Sequence, residues 1–257
     1  MLLFLLVLTG CGSAGAGARF LPRSTRDRKD DLSGPQIHFV YAVPAGRAEF
    51  DHHRDTDGTL ANSIFLLASW FYQQRGSPII RIDTYRRQPD ITFVRLPQGD
   101  LTYERKGPLA LMRDLARRGL RRRKLYAVFY DGTLRSAETC GLGASGAHPF
   151  AIAFVAQQCF SEQDFTAAGF GSYNRLVFVM AHEIVHELGF VPDCAPHSTG
   201  NGHVDDSPRD LMFPYLGDNV PTLDVNHDDY YRAHAIGCRD LSDTAYLRQT
   251  GSISIKP

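Results

Sequence analysis

Glutamate is scarce in this chain of 257 residues: Glu49, Glu104, Glu138, Glu162, Glu183 and Glu187 are the full set. No C-x-x-C pair occurs, which argues against a cysteine-rich zinc site among its five cysteines. There is no G-x-S-x-G elbow and no nucleotide-phosphate loop. Charge of either sign is not in excess, with 28 Lys and Arg against 28 Asp and Glu. Nothing at whole-chain level therefore points to nucleic acid. No apolar run is long enough to span a bilayer. The longest at the N-terminus, Met1 to Leu8, fits instead the apolar core of an export signal. The hydrophobic fraction, 43%, is ordinary for a globular protein and ample for a real core.

Against that scarcity, His182-Glu183-Ile184-Val185-His186 stands out. At this chain's own His and Glu frequencies an H-E-x-x-H string arises by accident in roughly one chain in a hundred. It lies within an apolar stretch of helical character. Histidines at i and i+4 share a helix face, so two imidazoles can grip one zinc ion from the same side. Glu183 flanks that pair and is placed as general base toward a zinc-bound water. The bland alternative is a buried helix with two hydrogen-bonded histidines. For a third ligand, His203 is favoured. It follows Gly202, which lets backbone approach closely, and Asp205 and Asp206 stand behind it as possible orienting partners. His197 and Asp193 are the alternatives.

Leu8-Thr9-Gly10-Cys11 resembles the bacterial lipobox, although no Lys or Arg precedes the apolar run. Residues 1–11 are read as a signal with lipobox, with Cys11 as the lipid attachment site and hence a membrane anchor. Residues 12–34 hold few apolar side chains and read as a flexible tether. The folded domain is expected over 35–257. Setting Cys11 aside leaves four cysteines, an even number suited to an oxidising compartment. Three pairings exist. The expected one is Cys140–Cys159, closing a short loop before the active helix, and Cys194–Cys238, tying the loop after Gly189 to the C-terminal segment.

Strands are expected over 36–43, 79–85, 91–96, 125–130 and 150–156, and helices over 60–74 and 108–120. The motif helix is expected from about Ser172 to Leu188. Apolar residues wrap it almost completely, so it should be central, with Gly189 as its C-terminal cap. The fold class is α+β, a mixed twisted sheet backed by helices with a loop-rich C-terminal half.

The string His182-Glu183-x-x-His186-x-x-Gly189, with Asp210-Leu211-Met212 downstream, resembles the metzincin zinc peptidases. Their third ligand falls three residues after the glycine. Here that position is Pro192, which cannot bind metal. Asp193 follows it, and in the related snapalysin type an Asp does serve. From Met180 to Cys238 the chain is similar to a group of little-described bacterial secreted proteins. The resemblance implies that Asp210-Leu211-Met212 is the Met-turn, with Met212 as a structural floor. It also implies that residues 150–156 form the cleft edge to which a peptide adds as a strand.

Other candidates carry weaker signals. Asp224, Asn226, Asp228 and Asp229 could bind calcium, or Asp224 or Asn226 could cap a helix bearing Tyr230 and Tyr231. Tyr215, Tyr230 or Tyr231 could donate to an oxyanion, or simply pack. Arg117, Arg118, Arg121, Arg122, Arg123 and Lys124 form a basic run, read as a solvated helix end rather than a patch for anionic polymer or lipid. The reading is an exported, monomeric zinc metalloendopeptidase acting on peptide or protein. The alternative is a non-catalytic, zinc-stabilised surface binding protein, which would have no need of Glu183.

Overall fold

The computed structural model describes residues 20–46, 49, 51–120, 124–132, 139–143, 149–155, 159–165 and 174–248. In chain order the elements are β1 (Ile37–Val43), α1 (Thr59–Gln73), β2 (Ile79–Ile80), β3 (Thr84–Tyr85), β4 (Gln88–Pro89), β5 (Ile91–Arg95), α2 (Asp100–Lys106), α3 (Pro108–Ala116), β6 (Leu125–Tyr130), β7 (Gly141–Leu142), β8 (Phe150–Phe154), α4 (Arg175–Glu187) and β9 (Leu247–Arg248).

Strand β1 is buried from end to end, because both faces of the central sheet are covered. Side chains alternate between those faces. Ile37, Phe39, Tyr41 and Val43 enter a core with Leu60, Ile64 and Phe71 of α1 and Val177, Val179 and Ile184 of α4. Val40 and Ala42 enter the opposite core, with Leu111 and Leu115 of α3. The strand order is β5-β1-β6-β8-β7. The first four strands run parallel, and β7 returns antiparallel to β8. This is the mixed sheet backed by helices that the pattern of apolar runs predicts. Helix α4 lies on it beside α1, and the Trp70 and Phe178 rings meet edge to face at 5.8 Å between the two helices.

Several expectations are corrected. The strand expected as the cleft edge, β8, is not outermost in the sheet, because β7 pairs outside it through Gly141–Ala153 and Leu142–Ile152. The Cys140–Cys159 disulfide brings the residue before β7 next to the chain beyond β8. The strand expected over 79–85 is broken in two, since Asp83 donates its N–H to Ile37 and turns its carboxylate inward. Helix α3 stops at Ala116 rather than near 120, and α2 was not anticipated. No helix carries Tyr230 and Tyr231, because the backbone N–H groups of that segment turn onto the Asp224 carboxylate.

Residues 20–34, expected within the flexible tether, lie against the domain. Phe93 donates its N–H to the Ser24 carbonyl (2.7 Å), covering the outer edge of β5. Arg23 reaches both Asp51 and Asp55, and Arg28 pairs with the buried Asp90. Residues 1–19, with the lipobox, lie outside the described residues, as do Arg121, Arg122 and Arg123. Lys124, the last of the basic run, is no solvated helix end. Its ammonium donates to Asp27, Asp30 and Asp83 at 2.6–2.9 Å, and its side chain is 10% exposed. Burial alone would lower its pKa, but bonds to Asp30, Asp83 and Asp27 raise it.

Both disulfides pair as expected, Cys140–Cys159 and Cys194–Cys238. They suit an oxidising compartment. Among the described residues no helix is long and apolar enough to cross a membrane.

Lys124→Met should destabilise the protein by about 3 kcal/mol, because Asp83, fully buried beside His38, loses its cation. Asp27 and Asp30 are a third exposed, so water compensates them and contributes less to the loss. Thermal unfolding followed by circular dichroism reads this as a Tm lowered by roughly 6–10 °C. An unchanged Tm would show that the cluster contributes nothing.

Candidate metal centre

The geometry of the centre begins at the N-cap of α4. Asn174 Oδ1 accepts the Val177 N–H (3.1 Å) and starts the helix. Every residue from Leu176 to Val185 is buried. At the far end Gly189, at φ 75°, closes the helix, with its N–H to His186 and the Phe190 N–H to Val185. The chain therefore leaves the helix sharply, one turn beyond His186.

The following loop returns to the same face. Thr199 donates its N–H to the His203 carbonyl (2.9 Å), and Val204 donates to Met212 (3.1 Å). Gly202 is required here. It adopts φ 84°, and a Cβ on it would stand 3.0 Å from His186 Nδ1. The result is a cluster of three imidazoles. His186 Nε2 lies 3.0 Å from His182 Nε2 and 3.1 Å from His203 Nε2.

The tautomers follow from the partners. His182 Nδ1 donates to the Leu211 carbonyl (2.6 Å), and His203 Nδ1 donates to Asn201 Oδ1 (2.9 Å). Both rings thus offer bare Nε2 lone pairs to the centre. One proton on His186 Nε2 could satisfy only one of them. Burial lowers the pKa of His182 to about 4 and of His186 to about 2, and lowers that of His203. Neutral nitrogens facing one another without enough protons are what a cation would relieve. Nitrogens about 2.0–2.1 Å from one tetrahedral zinc ion stand roughly 3.3 Å apart, close to the spacing here. The donor set therefore fits a metal ion, and His182, His186 and His203 could hold one.

Glu183 is 6% exposed and lies against β7. The Gly143 N–H bonds its carboxylate, yet burial prevails and pushes its pKa up to about 8. Gly141 and Gly143 make this approach possible. A Cβ on Gly141 would meet Glu183 Oε1 at 2.5 Å, and one on Gly143 would meet the Glu183 carbonyl at 2.5 Å. These two glycines, Asn201 and the Leu211 carbonyl were missed in the sequence. Gly141-Leu142-Gly143 beside Cys140 was the available signal. The three histidines and Glu183 open into a cleft of about 420 Å³.

The remaining candidates lie elsewhere. His197 pairs with Asp229 (3.1 Å), which raises its pKa. With Asp206, Asp228 and Asp229 it forms one of two further groups able to hold a cation, the other being Asp27, His38, Asp83 and Asp90. Asp193 lines a hollow behind His186 and belongs to none of these groups. Of the calcium candidates, Asp224 is occupied by backbone N–H groups of residues 228–231, and Asn226 Nδ2 reaches toward Asp206. Met212 is fully buried, its N–H on Asp210 Oδ1 (2.7 Å). Tyr230 donates to Asp210 and Tyr231 to the Arg75 carbonyl, so both pack inward. Tyr215, 80% exposed, is the tyrosine that lines the cleft among the described residues.

No protein-family model matches the chain, and no curated protein matches it. Among solved structures, wild-type OgpA from Akkermansia muciniphila aligns at TM-score 0.42 and 16% identity, covering 66% of this chain and 50% of that one. A catalytically inactive OgpA in complex with an O-glycopeptide substrate, glycodrosocin, aligns at TM-score 0.37 and 13% identity, covering 66% and 49%. The chain thus spans about half the length of these structures.

His203→Ala should cut zinc affinity steeply, whereas His197→Ala and Asp193→Ala should not, because only His203 turns its Nε2 to the other two rings. Zinc stoichiometry after dialysis against a mild chelator measures this. Full zinc in His203→Ala with loss in either of the others would move the third ligand.

Proposed function

We propose that the protein is a zinc-dependent metalloendopeptidase of metzincin type. The observation that carries this is the convergence of three Nε2 atoms, 3.0 and 3.1 Å apart, with the Glu183 carboxylate on the same helix and in the same cleft. His182, His186 and His203 would hold the ion. Bound there, zinc supplies Lewis acidity, polarising a scissile carbonyl and making water more acidic.

The chain's own groups do the rest. The Leu211 carbonyl and Asn201 hold two imidazoles with Nε2 unprotonated. The Gly143 N–H and the buried wall of β7 hold Glu183 beside them. A carboxylate so placed accepts the proton of the attacking water and hands it to the leaving amine. Burial favours its protonated form, and a nearby cation favours the ionised one, so the group stands where both are accessible. A purely stabilising metal site would need no such carboxylate and would close with a fourth protein ligand. Among the described residues the metal-ligand group has three members.

Glu183→Ala should lower hydrolysis of a denatured generic protein by at least about 10²–10⁴-fold while zinc stays bound. His182→Ala and His186→Ala should lose the metal itself. Full activity in Glu183→Ala would overturn the mechanism and favour the zinc-stabilised binding module. A chelator that leaves activity intact would also overturn it.

The two disulfides support export, and the proposal includes a lipid anchor on Cys11, read from Leu8-Thr9-Gly10-Cys11. Cys11→Ser should move the protein from the membrane to the soluble fraction without changing its Tm. Wild-type protein that is already soluble would remove the anchor from this reading.

A further inference from the structure

Arg175 opens α4 and lines the same cleft as the three histidines. Arg175, Val179, His182, Glu183 and His186 lie four, seven, eight and eleven residues along the helix from the first, and so share one face. That face is the cleft floor. Seven residues of helix separate Arg175 from His182 by about 10 Å along the axis. The cleft lining also includes the apolar residues Val179, Pro214 and Leu216. Among the described lining residues, Arg175 brings the one Lys or Arg side chain.

The root of this cation is fixed. The Arg175 N–H donates to Asp164 Oδ1 (2.9 Å), at the start of a helix whose next ten residues are buried. Its guanidinium donates to Asp218 Oδ1 (2.7 Å). That partner is of a different kind. Asp218 sits on an irregular segment with its side chain 90% exposed, against 30% for Arg175. Arg175 lines both the cleft and a second hollow of about 480 Å³ beside Cys159, Phe160 and Ser161, and Asp218 lies on the side of that second hollow. An ion pair with one carboxylate so exposed contributes little to stability. A carboxylate arriving along the cleft can replace Asp218 at small cost. The planar guanidinium fork suits such a group better than a point charge would.

We infer that Arg175 is a specificity-determining residue: it selects peptides with an Asp or Glu side chain close to the scissile bond, whose carboxylate takes the place of Asp218. This rests on the peptidase reading of the cleft. A side chain one or two residues from a bond held over the histidines reaches the distance set by the helix rise.

The test uses the zinc-loaded full chain and fluorogenic peptides in pairs, Asp against Asn and Glu against Gln, walked over the three residues on each side of the cleaved bond. At one position the acidic peptide should show kcat/KM about tenfold higher, a preference that shrinks with added salt. Arg175→Gln should bring the acidic-to-neutral ratio close to 1. Asp218→Asn, which removes the competing carboxylate from an exposed segment, should raise the ratio about fivefold. Binding of the same pairs to Glu183→Gln, read by fluorescence anisotropy, follows the selection without cleavage. Equal cleavage of acidic and neutral peptides at every position, or a ratio unchanged in both Arg175→Gln and Asp218→Asn, overturns the inference and leaves the peptidase reading standing. If no peptide is cut but acidic peptides bind tighter and lose that advantage in Arg175→Gln, anion selection stands and the peptidase reading falls. If none is cut and acidic peptides bind no tighter, both fall.

Discussion

Among the hydrogen bonds that join the two halves of this molecule, the one at the candidate metal centre carries the most. His182, on the helix that packs against the sheet, donates from Nδ1 to the Leu211 carbonyl in the loop-rich C-terminal half. The bond sets the tautomer of the imidazole and the height of the loop in a single contact. Met212, next to that carbonyl, accepts the N–H of Val204 and so fixes the segment that bears His203. If the loop moved by an ångström, His182 would lose its orienting acceptor and His203 its register. The two are coupled because both hang from consecutive peptide units.

That loop has little regular structure to stiffen it. Among the described residues, only isolated bridges, Ser198–Val204 and Asp210–Thr222, interrupt the irregular stretch between Gly189 and Asp240. Buried carboxylates take over the role of ladders. Asp210 accepts from the Met212 and Val225 N–H groups and the Tyr230 hydroxyl. Asp224 gathers the N–H groups of residues 228–231, and Asp240 those of Arg232, His234 and Ser242. Each carboxylate satisfies several donors that would otherwise be buried unpaired. Burial raises Asp210 to about 7, and the three donors oppose that rise. The Cys194–Cys238 disulfide restricts the same stretch by a covalent route.

What could be read in advance depended on how local the cause was. β1, β6 and β8 are short apolar runs, and α4 is wrapped in apolar residues around its motif, so their own residues announce them. α2 escaped notice because Asp100–Lys106 has almost no apolar period, and Leu101 stays exposed. β7 escaped because two residues become a strand only through β8 and the disulfide beside it. The segment 20–34 looked like a tether because it holds few apolar side chains. Its cohesion is ionic and long-range: Arg23, Arg28, Asp27 and Asp30 find partners 28 to 97 residues away. Charge pairing at that range leaves no periodicity to detect.

The candidate site divides along the same line. His182, Glu183 and His186 are legible because one helix places all three. The third imidazole was legible only as a preference, for His203 over His197 and Asp193, since the two histidines share a loop and the bridge at Ser198–Val204 together with the Val204 N–H on Met212 turns His203 to the helix. Least legible were the groups that orient the site, and the reason is chemical. The Leu211 carbonyl and the Gly143 N–H belong to the main chain, and Gly141 and Gly202 act by having no side chain at all. A carbonyl can be supplied by any residue, so Leu211 carries no mark of its task. The arrangement is correspondingly demanding of backbone position and tolerant of side-chain identity, except at the glycines. At those positions a single methyl group would strike Glu183 or His186, so the path of the backbone past these two side chains depends on atoms that are not there.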